Sequence, residues 1–140
     1  MGERILKALA AAVGGVAGLL GEWNVLLTVL AWMMFIDYIT GLICAWRGKS
    51  PKTEGGGVSS RAGFDGLARK GLMMLIVLTA TLLDRAVGAE GAAFQTAAAG
   101  YYIANEGVSI LENSALMGVP CPEALKKGLE MLKNSGEKVK

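Results

Sequence analysis

Histidine is absent from the 140 residues. That excludes a Ser-His-Asp or Cys-His catalytic arrangement and any His-ligated metal site. Cysteine occurs twice, at Cys44 and Cys121, too few and too far apart for a zinc ribbon or a disulfide framework. Charge is also scarce: 19 % of residues are charged, against about 25 % in an average soluble domain. The net charge of +2 is too small to argue for nucleic acid, and no nucleic-acid partner, metal, cofactor or enzymatic activity is expected. Glycine is abundant, at 20 residues, but the hydrophobic share of 53 % is too high for a disordered chain. The length fits one domain.

The scarce charges are unevenly placed. Ala8 to Gly21 carries none, Trp23 to Trp46 only Asp37, Gly71 to Leu83 none, and Gly91 to Leu111 only Glu106. A membrane-spanning helix needs about 20 mostly apolar residues. These runs predict an all-α polytopic membrane protein with three to four transmembrane helices. The spans are expected over about residues 5–22, 23–46, 70–87 and 91–113. A soluble bundle would show polar residues at every third or fourth position. Trp23–Trp46 does not, since apolar residues from Val25 to Ile36 cover every face. The first run is the shortest and spans only if Lys7 and Glu22 sit at the interfaces. Arg4 and Lys7 before it resemble the start of a signal peptide, yet Gly-Glu-Trp-Asn after it lacks a small-x-small cleavage site.

Lysine and arginine set the expected orientation. Arg4 and Lys7 precede the first run. Arg47, Lys49, Lys52, Arg61, Arg69 and Lys70 fill the next basic segment, and Lys126, Lys127, Lys133, Lys138 and Lys140 lie in the C-terminal tail. High and low counts alternate, which places loop 47–69 and the tail in the cytoplasm. A membrane domain over 1–118 and a cytoplasmic tail over 119–140 follow. Ser50–Ser59 reads as a flexible, turn-rich loop. A helix restarts near Ser60, whose hydroxyl can cap it. Arg69 and Lys70 then flank the third span, where they can meet lipid phosphates. Beyond Pro120 and Pro122, Glu123–Lys133 reads as a short amphipathic helix. Leu125, Leu129 and Leu132 lie on one side, and Lys126 and Lys127 on the other. It suits an anionic lipid surface or a neighbouring subunit. From Asn134 onward the chain reads as disordered.

A carboxylate at mid-bilayer costs about 2.5–3.5 kcal/mol on insertion scales, so Asp37 and Glu106 need partners, water or protons. Asp37, Gly41 and Ala45 share a stripe. In the fourth span Tyr101, Asn105, Ser109 and Glu112 form a polar stripe beside Tyr102, Glu106 and Asn113. These residues fit helix–helix glue, a water-lined pore face or a proton-coupled transport site. A transporter usually has paired inverted repeats, for which the chain is short. Ala10, Gly14 and Gly18, and later Ala93, Ala97, Gly100 and Ala104, form small-residue lines that permit close helix approach and favour a homo-oligomer.

Several segments together resemble the toxin-secretion/phage-lysis holin family. Asp37-Tyr38-Ile39-Thr40-Gly41 looks like its Asp-x-x-Thr-Gly motif. Ser60-x-x-Gly63-x-x-Gly66-x-x-Arg69-Lys70 is similar to its loop into the next span. Asn105-Glu106-x-x-Ser109-Ile110-x-Glu112-Asn113 resembles its most specific motif, followed by Gly118-Val119-Pro120-x-Pro122. The resemblance covers about residues 24 to 132. It implies self-assembly in the host bacterial cytoplasmic membrane into lesions that release endolysin, or a toxin, as cargo without direct binding. Alternatives are a small homo-oligomeric ion channel or transporter subunit, or a non-conducting antiholin-like regulator.

Overall fold

The computed structural model describes residues 1–21, 23–88 and 90–137. Five α-helices form its frame: α1 (Gly2–Leu19), α2 (Val25–Trp46), α3 (Ser60–Val87), α4 (Ala93–Leu116) and α5 (Glu123–Glu137). One 3₁₀ turn, Glu54–Gly56, joins α2 to α3. There is no strand among the described residues.

Local chemistry sets the helix ends. Asn24, in an extended conformation, opens α2, and its side-chain oxygen accepts from Leu27 N at 3.0 Å. Ser59, one residue before the expected cap, accepts from Ala62 N at 3.4 Å and opens α3. Gly88 closes α3 in the left-handed region at φ 64°, the usual glycine helix stop. α4 has no cap of its own. Its N-cap position is Ala92, at φ 51° and without a side-chain acceptor. Asp84 of α3 replaces it, accepting from Phe94 N at 2.9 Å and Gln95 N at 2.8 Å.

The expected third span is part of a longer helix. α3 runs unbroken for 28 residues from Ser60 to Val87, because nothing at Arg69-Lys70 interrupts its backbone ladder. The loop before it is held by several hydrogen bonds. Lys49 N donates to Cys44 O at 2.8 Å, Ser50 N to Gly56 O at 3.0 Å, and Thr53 Oγ1 to Gly57 O at 2.7 Å. Gly56 sits at φ 76°, and a Cβ there would lie 2.2 Å from Gly48 O. At the C-terminus, helix continues through residues 134–137, beyond the expected stop at Lys133. Glu22, Lys138 and Lys140, which entered the span and charge expectations, lie outside the described residues.

α4 is the hub, packed against α2, α3 and α5, whereas α1 packs chiefly on α3. Leu27, Leu30, Met34, Val77, Leu78, Ala99 and Ile103, with Leu20 from the end of α1, form the buried core. The outside is apolar too. Trp32 (60 %), Phe35 (56 %), Leu72 (60 %) and Ile76 (50 %) are exposed on α2 and α3. An apolar exterior this continuous is rare on soluble monomers and suits lipid. Both α2 and α3 are long and apolar enough to cross a membrane. α1 carries Glu3, Arg4 and Lys7, and α4 carries Glu106 and Glu112 among polar neighbours, so apolar length alone does not qualify either.

Candidate functional site

Three helices place one charged residue each at the same point. Lys70 of α3 donates to Asp37 Oδ2 of α2 at 2.6 Å and to Glu106 Oε2 of α4. Side-chain exposures are 14 %, 6 % and 4 % respectively, so the cluster is largely buried. One ammonium faces two carboxyls. Lys70 was expected at the lipid interface beside Arg69. In the structure its ammonium turns to the two carboxylates of α2 and α4. Arg69, next along the helix, points outward at the mouth of the site.

Asn113 extends the cluster by two turns of α4. Its amide donates to Thr40 Oγ1 at 2.9 Å and Asp37 Oδ1 at 3.3 Å. Thr40 Oγ1 in turn donates to Asp37 O at 3.0 Å, and Cys44 Sγ to Asn113 O at 3.2 Å. Gly41 lies at this contact, where a Cβ would stand at an ordinary 3.8 Å from Asn113 Nδ2. The stripe Asp37–Gly41–Ala45 therefore faces α4. No buried side-chain nitrogen or oxygen among the described residues lacks a partner.

Beside the cluster lies a cavity of about 350 Å³ between α2, α3 and α4. Tyr38, Lys52, Asp65, Arg69, Asn105 and Ser109 contribute to its wall. Gly63 of α3 makes space for Tyr38, whose OH would lie 3.3 Å from a Cβ placed there, whereas a Cβ on Gly66 would stand at an ordinary 4.0 Å from the ring.

The expected polar stripe of α4 divides. Glu106 and Asn113 are buried, Asn105 and Ser109 line the cavity, and Glu112 is exposed outside the cluster. Among the small residues, Gly100 is buried and Gly14 and Gly18 are exposed, and a Cβ on any of the three would meet nothing within 4 Å. The tight glycine is Gly107: a Cβ there would come 2.6 Å from Leu129 Cδ2 and 3.1 Å from Met33 Cε. Leu129 is the buried residue of the α5 stripe, and Leu125 and Leu132 stay half-exposed. Lys126 pairs with Glu123 at 3.2 Å on the surface, and Lys127 is exposed.

A second polar network at the other end of the bundle was not anticipated. Gln95 Nε2 donates to Thr81 Oγ1 at 2.7 Å and to Leu20 O at 3.4 Å, while its Oε1 accepts from Asn24 at 3.0 Å. With Asp84 it ties α1, α2, α3 and α4 together. The available signal was a helix start at Gly91-Ala92 with no capping side chain. Neither network supplies a nucleophile with its base, and the described residues hold no group able to bind a metal.

Residues 14–134 match the model of the bacteriophage holin family. The chain belongs to that family. Its relatives include an uncharacterized 14.9 kDa protein of Clostridium perfringens, 40 % identical over 81 % of each chain. An uncharacterized protein of Halalkalibacterium halodurans is 38 % identical over 97 % of this chain and 99 % of its own. A protein named probable holin, from Bacillus phage phi105, is 35 % identical over 86 % of this chain and 83 % of its own. No solved structure matches. As a holin-family chain this is a membrane protein of the phage-lysis class and not an enzyme. The matched region contains both polar networks and all of α2, α3, α4 and the Gly107–Leu129 contact.

Proposed function

We propose that copies of this holin-family chain assemble in the cytoplasmic membrane of a bacterial host and open lesions through which endolysin, or a toxin, leaves the cell. One observation carries this reading. The Asp37–Lys70–Glu106 cluster is closed inside a bundle whose exterior is apolar. Such a bundle is compatible with lipid while its polar face of α4 stays covered. The same face becomes suited to water once copies rearrange around it. A membrane contains no water to satisfy these groups, so their exposure requires a water-filled assembly.

The arrangement proposed has α2, α3 and α4 crossing the bilayer, α4 because its polar face is covered by α2 and α3. α1 adds a fourth crossing or lies at the interface, with the exposed Gly14–Gly18 line available to a second copy. The basic segment between Arg47 and Arg69 faces the cytoplasm. A Cys placed at exposed Glu54, with Cys44 and Cys121 replaced, is expected to resist an impermeant thiol reagent in intact cells before lysis. Ready labelling would reverse the orientation.

Size-graded leakage tests the function. Purified protein in vesicles loaded with a small dye and a protein-sized dextran should release both. Passage of ions alone, with dye and dextran both retained, would favour an ion channel, and passage of nothing would favour a regulator. Glu106→Leu, at matched membrane levels, should release less dextran than the parent. Unchanged release would remove Glu106 from the mechanism.

A further inference from the structure

The cavity beside the Asp37–Lys70–Glu106 cluster carries opposite charges at its base and at its mouth. Asp37, Glu106 and Lys70 line the base and are largely buried. When ionised they set two carboxylates against one ammonium, an excess of one negative charge. Lys52, Asp65 and Arg69 also line the cavity, and all three are exposed. They hold two cations and one carboxylate, an excess of one positive charge, and form no ion pair among the described residues. The two excesses face each other only across the cavity. Its volume of about 350 Å³ lies in the range of about 300–1,000 Å³ usual for small-molecule sites.

The mouth is held in place by local structure. Lys52 sits on the hydrogen-bonded loop, where its backbone N–H donates to Ser50 Oγ at 3.2 Å and Ser50 N donates to Gly56 O at 3.0 Å. Asp65 and Arg69 stand about one turn apart on α3. Beyond Arg69 no charged residue is exposed on α3 until Arg85, and Leu72, Leu75 and Ile76 are exposed just past it. In a membrane protein, such an end to exposed charge suits the level where headgroups give way to acyl chains.

We propose that this cavity binds a phosphoethanolamine group, carried by a phospholipid or free. The group is a primary ammonium joined to a phosphate through two carbons. Its ammonium enters first and donates to the carboxyls of Asp37 and Glu106, which brings the base to neutrality. Its phosphate stays at the mouth with Lys52 and Arg69 and offsets the positive excess there. In the lipid the phosphate bears the glycerol and acyl chains. Entry by the ammonium therefore leaves the chains outside, where Leu72, Leu75 and Ile76 are exposed. A trimethylated ammonium has no N–H to give the carboxyls, and a phosphoglycerol headgroup has no cation. The site needs a membrane location and does not depend on the lesion reading.

Native mass spectrometry of the full chain in detergent tests the proposal. The protein is offered phosphatidylethanolamine, phosphatidylcholine or phosphatidylglycerol with the same acyl chains. The parent should retain phosphatidylethanolamine about tenfold more than either other lipid. Glu106→Gln removes the negative excess at the base and should cut the preference over phosphatidylcholine to about twofold or less. Lys52→Gln with Arg69→Gln changes only exposed residues and should lower retention of phosphatidylethanolamine about tenfold. Equal retention of the three lipids by the parent, or a preference that survives in both variants, would overturn the proposal. Free phosphoethanolamine in excess then separates the two sources. Displacement of the lipid shows that the headgroup chemistry suffices, and persistence assigns the site to the lipid. Dextran release is read on the same protein, so selection of this lipid without release upholds the site and removes the lesion reading.

Discussion

Two polar networks each tie α2, α3 and α4 together, one of them reaching the end of α1 as well, and they differ in how their charges are balanced. At the α4 N-terminus, Asp84 is neutralised by backbone: two N–H groups at the positive end of a helix meet its carboxylate, an arrangement favoured by the helix dipole. Gln95, Thr81 and Asn24 complete it with uncharged hydrogen bonds. In the other half of the bundle, two carboxyls share one ammonium and lie beside a cavity of about 350 Å³. The first network is complete within a single chain and closes a helix end. The second is satisfied too but unevenly charged; each borders a cavity, of about 500 Å³ at the first and about 350 Å³ at the second. The contrast is between a carboxylate met by backbone N–H groups and two carboxyls that depend on one ammonium.

Removing Lys70 should break this comparison hardest. Lys70→Met leaves two buried carboxyls facing each other. Loss of one partner of a buried pair costs about 3–5 kcal/mol. Unfolding in detergent should show that loss, and adding Asp37→Asn and Glu106→Gln should restore most of it. Unchanged stability in the single variant would mean that the cluster does not hold the bundle.

Asp84→Ala should cost less, about 1–3 kcal/mol, because it strands two backbone donors near a helix end that water can reach. Amide exchange at Phe94 and Gln95 should accelerate, while exchange around Asn113 stays as in the parent. Coupled acceleration at both ends would show that the networks act as one unit.

Gly107→Val probes the seat of α5. Overpacking costs about 1–3 kcal/mol, and the lower end is expected because the flexible tip of Leu129 gives way first. Leu129→Ala in the same chain should recover it. Gly107→Ala is a poorer probe, since alanine gains about 1 kcal/mol of helix propensity over glycine and offsets the clash.

The smallest effect belongs to α1. Gly14→Ile with Gly18→Ile meets nothing within 4 Å in the chain, so stability should hold within about 0.5 kcal/mol. Cross-linking between copies should fall if that line is a subunit contact. A loss of monomer stability would instead place it against the bundle.

Particular residues show what was legible beforehand. The acids Asp37 and Glu106 stood out because each interrupts a long apolar run, and both are in the cluster. Asn113 and Gly41 followed from helical spacing on the same faces, and Thr40 from the resemblance to the Asp-x-x-Thr-Gly motif. Lys70 did not, because a basic residue at the start of an apolar run reads equally well as a lipid-facing flank. Glu112 shares the motif with Glu106 but not its face, since six residues turn a helix well past half a circle. Asp84 passed unnoticed because its partners are backbone groups of a helix that starts later in the chain. Gly107 was one glycine among 20, and only Leu129 on another helix distinguishes it.

The sequence alone determined the helices, since apolar run length and capping residues are local properties of the chain. It also determined which buried polar groups would need partners, because that need arises from the low-dielectric surroundings of each run. Which partner each group received was decided by the tertiary structure. Pairing depends on how each helix is rotated and how far it slides along its neighbours, and those are set by side chains interlocking across three helices at once. Hence Lys70, one of several basic residues near the third run, is the one that turns inward, and α5 lies on Gly107 rather than apart from the bundle.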